Sequence, residues 1–430
     1  VIGALLLLWQ WGLLWEPFYQ SNSVNIENKM NLFEDLEKRG LVKQTTNTEK
    51  IRHLLNNESI TFYIGFDPTA ESLHVGHLLG LITAKRLSDA GHKAIMLIGG
   101  ATAEIGDPTG KNEMRKMLSE IELAKNGFAI EEQIKRLVPK GILLNNNIWF
   151  KHSTDMSFLE VIRDFGPHFS VNNMLRADSV KSRLENGLSF LEFNYMIMQA
   201  IDFLKLNKFM DCNCQLQIGG DDQWSNMLAG VDLIHKKLKK EVFAMTFPLL
   251  TNSDGTKMGK TEKGAVWLSE EGPTSIFDFF QFWRNLPDLE VLKCFKQLTF
   301  FSLEEIEAIP FSTPAEINAA KKKLAFAITE IVHGKVAAEI TLEVVEALFE
   351  SQDASAIEAT HIEDGIQLLD LLVQSGFAKS RTDARNLINN RGIAINDQVQ
   401  DNPLLVITNS QFGNEIVLRK GKKNFRRFVF

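Results

Sequence analysis

The sequence predicts an α/β protein in three parts: a parallel-sheet domain, a helical domain and a small basic module. Three observations carry this. Short β-type runs at residues 60–65, 94–98 and 214–218 alternate with segments of helical period, which is the pattern of a parallel sheet with crossover helices. Residues 273–349 read as helical, with Pro310 and Pro314 as breaks. The charge is divided: of a net −7, from 47 basic and 54 acidic residues, residues 365–430 carry +5 and the remainder −12. A basic unit appended to an acidic body marks a separate polyanion-binding module.

The length of 430 residues suggests two to four domains. The composition, 44% hydrophobic and 23% charged, argues against disorder and against a polytopic membrane protein. Three Cys argue against a disulfide scaffold and fit a reducing, cytoplasmic compartment. Cys212-x-Cys214 has no second pair to complete four metal ligands, so it reads as two packed thiols, and no protein metal centre is expected.

The elements follow in order. Residues 1–15 are apolar, with Trp9, Trp11 and Trp15, but fall short of the ~20 residues that span a bilayer. They lack a basic n-region and a small-x-small cleavage site. Residues 1–29 are expected to be a non-native or disordered leader outside the folded protein; a membrane anchor is the lesser reading. From Met30 an amphipathic helix runs to Gly40. A strand over 60–65 leads, past Pro68, to a helix from His74 in which Val75, Leu78, Leu79 and Ile82 recur at helical spacing and Gly91 ends the run. The strand over 94–98 is apolar on both faces and ends in Gly99-Gly100; a helix is expected over 113–125. A second α/β block holds a helix over 193–206, the strand 214–218 and Gly219-Gly-Asp-Asp-Gln-Trp224. Residues 351–364 are small and polar, a linker, and the basic module begins at Gly365. Ligands of open parallel sheets bind beyond the carboxyl ends of the strands, so a site should lie just after Tyr63 and Ile98.

Four motifs lie there. His74 and His77 are one turn apart at a helix start, where backbone N–H groups already favour anions, and Gly76 lets a ring or phosphate approach. As a metal site the pair lacks a third ligand. Gly106-Asp-Pro-Thr-Gly-Lys111 imitates a P-loop but fails it, because position 105 is Ile and position 112 is Asn. Asp107 is expected at a strand end, with Lys111 and Arg115 reaching inward. Tyr195, Gln199 and Asp202 share one helix face at i, i+4 and i+7, as either a polar binding face or a solvent-facing stripe. The chain has 30 Phe and only three Tyr, namely Tyr19, Tyr63 and Tyr195. A hydroxyl kept where Phe is the default aromatic is expected to hydrogen-bond something. Last, Asp254-Gly-Thr-Lys257-Met-Gly-Lys260-Thr261 places two Lys three apart around a Gly, a loop able to close on a charged transition state.

Together these residues resemble the class I aminoacyl-tRNA synthetases, and among them the bacterial-type tyrosyl-tRNA synthetases, over about residues 30–430. His74-Val-Gly-His77 is similar to the His-Ile-Gly-His element of that family and Lys257-Met-Gly-Lys-Thr261 to its Lys-Met-Ser-Lys-Ser loop. The segment from Gly219 to Trp224 is similar to a motif beside the ribose, with Asp221 in place of Ser, which implies extra charge near the nucleotide. Ile64 stands where a residue touching ribose, often Cys, is usual.

The resemblance implies a Rossmann-like catalytic domain over residues 30–264, with a connecting insertion at about 125–190. A helical tRNA/anticodon-binding domain would follow at 265–350, then the linker 351–364 and an S4-type RNA-binding domain at 365–430. It implies ATP-dependent activation of L-tyrosine and transfer to tRNA(Tyr), with Mg²⁺ accompanying the phosphates without a protein cage, and a homodimer. By the same resemblance, Tyr63 and Asp202 bind the phenol hydroxyl, and Asp107, Tyr195 and Gln199 hold the α-ammonium, with Gln217 also in the tyrosine site. Gly65, Asp67, Thr69, Gly76, His77, Gly220, Asp222 and Gln223 position ATP or the adenylate. Thr69 and His74 grip the γ-phosphate, and Lys111, Arg115, Lys257 and Lys260 stabilise the leaving pyrophosphate. Arg381 and Arg385 share a face of a helix that starts at Ser380, followed by a strand over 393–395. Lys422 and Lys423 lie in a run of six cations within 419–427; these four residues are expected to bind RNA. Three alternatives stay open: a tryptophan-activating relative, which an indole without a phenol disfavours; an RNA-binding paralogue with a dead site; and a small nucleotidyltransferase, which leaves residues 273–430 without a purpose.

Overall fold

The computed structural model describes residues 31–109, 117–153, 156–184, 187–208, 212–261, 264–350, 359–421 and 424–430. The leader 1–29, Lys111, Arg115, Lys422 and Lys423 lie outside the described residues, and Lys260 is described by its backbone alone.

Six strands form the main sheet: β1 (Gln44–Thr45), β2 (Thr61–Phe66), β3 (Lys93–Ile98), β4 (Ile142–Asn145), β5 (Cys214–Gly220) and β6 (Phe243–Phe247). Their order is β1-β6-β5-β2-β3-β4. All neighbours from β6 to β4 pair in parallel, and β1 closes one edge antiparallel to β6. Both faces of the central strands β2 and β3 are covered, which is why these two read as nearly continuous apolar runs. Phe62, Ile64 and Phe66 of β2 enter the core beneath the helix Val75–Asp89, whereas Tyr63 faces the helix Tyr195–Lys208. The chain steps from β2 to β3 and β4 on one side and from β5 to β6 on the other. The crevice of the sheet therefore opens between β2 and β5, where Tyr63 is in register with Gln217.

The first helix is Leu32–Lys38, and Gly40 follows it at φ +70°. Of the helix expected over 113–125, residues 113–116 lie outside the described residues, and residues 117–119 are not helical. The helix is Glu120–Leu137, started by a capping box in which Ser119 Oγ accepts from the Glu122 N–H and Glu122 accepts from Ser119 N–H. Its Ile130, Ile134 and Leu137 join the main core, and β4 extends the sheet. The expected insertion over about 125–190 therefore belongs to the sheet domain as far as Asn145. Between Pro273 and Glu350 lie the helices Ile276–Arg284, Asp288–Leu298, Leu303–Glu307, Pro314–His333 and Lys335–Glu350. Pro314 opens its helix rather than breaking one, at the first position behind the Thr313 cap.

In the C-terminal module two helices, Leu368–Gln374 and Arg381–Asn389, pack through Leu371, Leu372, Ala384 and Ile388 on a five-stranded sheet. Ser380 caps the second helix and Ile393–Ile395 is a strand, as expected. The expected linker 351–364 is corrected in its last part: Ala359–His361 pairs in parallel with Asn424–Val429 and is the edge strand of this sheet. An edge strand needs backbone pairing more than apolar side chains, so its composition resembled a linker. Among the described residues no helix is long and apolar enough to cross a membrane.

Candidate functional site

Tyr63 stands near the end of β2 with 1% of its surface exposed, its ring 5.3 Å from that of Phe203. Among the described residues its hydroxyl has no hydrogen-bond partner, and the same holds for the buried Gln199 Oε1 and Gln217 Oε1. Burial first, and then the charge of Asp202, push the Tyr63 hydroxyl well above its ordinary pKa. Asp202 is 3% exposed and accepts from Trp149 Nε1 at 2.8 Å and from Asn146 Nδ2 at 3.2 Å. Burial raises its carboxyl well above the usual range, against these two donors. The face bearing Tyr195, Gln199 and Asp202 thus turns inward, which removes the solvent-stripe reading.

Tyr195 is buried on the same helix face. Its hydroxyl donates to Asp67 Oδ2 at 2.8 Å, and Asp67 Oδ1 accepts from Thr102 Oγ1 at 2.8 Å. Burial, followed by the charges of Asp67, Asp107 and Asp202, raises the Tyr195 pKa, so three carboxylates surround one phenol. Asp107 is not at a strand end. It follows β3 by a short helix, Thr102–Ile105, and Gly106. It accepts from Gln223 Nε2 at 2.7 Å and from Thr109 N–H at 2.9 Å, and so joins the two expected subsites. The buried hydroxyl of Thr109 has no hydrogen-bond partner among the described residues.

The phosphate side is built on the start of the helix Val75–Asp89. His74 is the N-cap: its Nδ1 accepts from the Gly76 N–H at 3.0 Å, while His77 Nδ1 accepts from the His74 N–H at 3.1 Å. With both Nδ1 atoms accepting, each neutral imidazole carries its proton on Nε2. The ring centroids are 4.1 Å apart, and Trp267 meets His74 edge-on at 6.0 Å. A Cβ on Gly76 would lie 2.7 Å from His74 Cε1, so the cap requires glycine there. Thr69 N–H donates to Asp67 O at 2.8 Å, in the loop between β2 and this helix.

The loop 257–261 docks on that cap. Val75 N–H donates to Val266 O at 2.9 Å, Leu268 N–H to Leu73 O at 2.8 Å, and Val266 N–H to Gly259 O at 2.9 Å. Gly259 has φ +80°, and a Cβ there would lie 2.0 Å from Val75 Cγ2. Gly65 is exposed at the end of β2, and Gly220 ends β5 before the turn Asp221–Gln223. Lys257 Nζ is 4.0 Å from Asp222 Oδ2; burial raises the Asp222 carboxyl, partly offset by Lys257.

Asp221 and Ile64 both make contacts within the protein. Asp221 Oδ1 accepts from Gln44 Nε2 at 2.7 Å and from Thr246 Oγ1 at 2.9 Å, so its carboxylate ties β1 and β6 together. Ile64 is 4% exposed and belongs to the core under the helix Val75–Asp89. The sequence reading missed Asn146, Trp149, Thr102 and Trp267. The one available signal was the run Asn145-Asn146-Asn147 directly after a strand.

In the C-terminal module Arg381 pairs with Asp370 at 3.1 Å, and Arg385 is exposed. Of the basic run, Arg426 pairs with Asp278 at 2.6 Å and Arg427 with Glu415 at 2.7 Å, while Lys420 Nζ donates to Phe377 O at 2.8 Å. These three side chains are engaged within the protein.

Residues 55–350 match the family described as tRNA synthetases class I (W and Y), and residues 346–428 match a tyrosine–tRNA ligase SYY-like C-terminal domain. The tyrosine–tRNA ligase of Acetivibrio thermocellus is 46% identical over 408 residues, 92% of this chain and 98% of that protein. The one from Clostridium tetani is 47% identical over 408 residues, 93% of this chain and 99% of that protein. Among solved structures, a C-terminally truncated mitochondrial tyrosyl-tRNA synthetase of Aspergillus nidulans superposes with a TM-score of 0.67 at 31% identity. The match covers 75% of this chain and 95% of that one. The chain belongs to the class I tRNA synthetases, in the tyrosine–tRNA ligase family.

Proposed function

We propose that the chain condenses L-tyrosine with ATP to tyrosyl-adenylate and pyrophosphate, then transfers the tyrosyl group to the 3′-terminal ribose of tRNA(Tyr). The observation that carries the choice of amino acid is the buried Tyr63 hydroxyl without a hydrogen-bond partner among the described residues, within electrostatic reach of buried Asp202. A phenol pairs with the Tyr63 hydroxyl and adds a donor for Asp202, whereas phenylalanine leaves the Tyr63 hydroxyl unpaired at a cost of about 1–3 kcal/mol and gives Asp202 nothing beyond Trp149 and Asn146. An indole would bring a donor but no acceptor, which disfavours a tryptophan-activating enzyme.

The mechanism follows from charge. The tyrosine carboxylate is ionised at neutral pH, so no general base is needed. It attacks the α-phosphorus in line, and pyrophosphate departs. The rate is governed by negative charge growing on phosphoryl oxygens, which donors and cations stabilise. In this reading the Nε2–H groups of His74 and His77, the Thr69 hydroxyl and Lys257 supply them, together with Lys111, Arg115 and Lys260. Asp107, Tyr195, Gln199 and Gln217 orient the amino acid. Gly65, Asp67, Gly76, Gly220, Asp222 and Gln223 line the adenylate. Among the described residues no group of three or more His, Cys, Asp or Glu could hold a metal. A Mg²⁺ ion arriving with ATP would take its ligands from phosphate and water, as is usual for that ion.

The helical region is assigned to tRNA contact and the C-terminal module to RNA binding in an S4-type domain, through Arg381, Arg385, Lys422 and Lys423. A homodimer is assigned because Ile148, Phe158, Leu159, Ile162, Val171 and Phe190 are exposed within one stretch. The free thiols of Cys212, Cys214 and Cys294 suit the cytoplasm. ATP–pyrophosphate exchange with a panel of amino acids tests the reaction and the substrate together. Exchange driven by tyrosine alone is expected, and exchange driven by another amino acid overturns the reading.

A further inference from the structure

The loop bearing Lys257 is the tip of a hairpin. Met258 N–H donates to Leu250 O at 2.9 Å, Asn252 N–H to Thr256 O at 2.9 Å, and Thr251 bridges Lys257 in antiparallel fashion. The chain turns at residues 253–255, where Gly255 has φ +82°. Two side chains from the helix Asp288–Leu298 of the following helical region hold this hairpin. Ser253 Oγ donates to Glu290 Oε1, and Lys293 Nζ donates to Thr251 O at 2.8 Å. Lys293 and Glu290 also pair with each other at 3.3 Å.

Glu290 is an unusual residue for a helix on a surface: its side chain is 2% exposed. Burial alone would raise its carboxyl, but the Ser253 hydroxyl and Lys293 outweigh that and hold it below the ordinary glutamate value. A buried carboxylate persists only where donors fix it. Among the described residues, the side-chain partners that fix it are Ser253 of the hairpin and Lys293, which grips the hairpin.

We infer that Glu290 and Lys293 are positioning residues: they mount the 250–258 hairpin on the helical region and so aim Lys257 toward the phosphate side of the site. The contact order is short. Lys293 holds Thr251, Thr251 bridges Lys257, and Lys257 lies 4.0 Å from Asp222. The helical region that would contact tRNA thus grips the hairpin that carries a would-be pyrophosphate ligand. The inference rests on reading Lys257 as a pyrophosphate ligand.

The test uses the full chain with Ser253→Ala and Glu290→Gln, singly and combined. Single-turnover adenylate formation is followed alongside the KM for tyrosine and the thermal midpoint. The rate is expected to fall about tenfold in Glu290→Gln and about threefold in Ser253→Ala, with the KM for tyrosine unchanged. The combined variant should be no slower than Glu290→Gln, because the two changes break one contact. Ser253 is exposed, so its variant stays folded even where Glu290→Gln does not. A normal rate in Ser253→Ala, additive losses, or a KM for tyrosine that moves with the rate overturns the inference. Wild-type protein without tyrosine-dependent exchange would instead remove the proposed function.

Discussion

Replacing Tyr63 by Phe removes one oxygen and leaves the ring on Phe203 in place. That oxygen is buried without a hydrogen-bond partner among the described residues. An orphaned buried polar group costs about 1–3 kcal/mol, so the free protein should become more stable and its thermal midpoint should rise. Catalysis should move the other way. A hydrogen bond between uncharged groups contributes about 0.5–1.5 kcal/mol net, which is roughly a 2- to 12-fold loss in kcat/KM for tyrosine. Phenylalanine never used the hydroxyl and was penalised by it, so its kcat/KM should rise and the tyrosine-to-phenylalanine ratio should drop by more than either change alone. Pyrophosphate exchange with each amino acid, and a melting curve without ligand, read all three quantities. An unchanged ratio would show that the hydroxyl does not face the substrate. A lower midpoint would show that it already had a partner in the free protein.

Other expectations are as direct. Burial lowers the His333 pKa, with Glu270 opposing. The folded state then binds this proton less tightly than the unfolded state, so stability is complete above about pH 6.5 and declines as pH falls toward the depressed value. Melting curves at pH 7.5 and 5.5 should show a smaller acid loss for His333→Gln than for the wild type, and equal losses would contradict the assignment. Gly259→Ser restores the serine usual in the family loop, yet the φ of +80° and the contact with Val75 should slow adenylate formation about tenfold or more. Val75→Ala should recover part of that loss, and a fully active single variant would refute the docking of loop on cap. Asp221→Ser should lower stability by about 1–3 kcal/mol through Gln44 and Thr246, with the KM for ATP within twofold of wild type. A large change in the KM for ATP would return Asp221 to the nucleotide.

The parts legible in the sequence share a physical cause. β2 and β3 are buried on both faces, so their apolar runs were nearly continuous and easy to place. Tyr63, Tyr195 and Asp202 were found because a hydroxyl among 30 Phe and a polar stripe at helical spacing are local signals. What the sequence hid was pairing across the chain. Asn146 and Trp149 reach Asp202 from the segment that follows β4, and Asp107 finds Gln223 across 116 positions. Glu290 carries no local signal of its own, because its partner Ser253 lies 37 positions away. The Ser119 capping box was visible and would have corrected the start of the helix Glu120–Leu137.

The layout of charge bears on why the pocket favours an amino acid at all. Asp67, Asp107 and Asp202 all act on the Tyr195 phenol, and Asp202 is raised by burial. Close carboxylates in a low-dielectric pocket repel one another, and that repulsion is relieved by one positive charge. In the proposed reaction the α-ammonium of tyrosine is that charge, and its phenol satisfies Tyr63 at the other end of the pocket. Affinity then comes from discomfort built into the free site as much as from new contacts. If both ends act together, tyrosine should raise the thermal midpoint far more than phenylalanine methyl ester at equal concentration. Tyramine keeps both the ammonium and the phenol, so it should come close to tyrosine, whereas the ester, lacking the phenol, should not. The carboxylate that attacks ATP is left free for chemistry because recognition is confined to the other two groups.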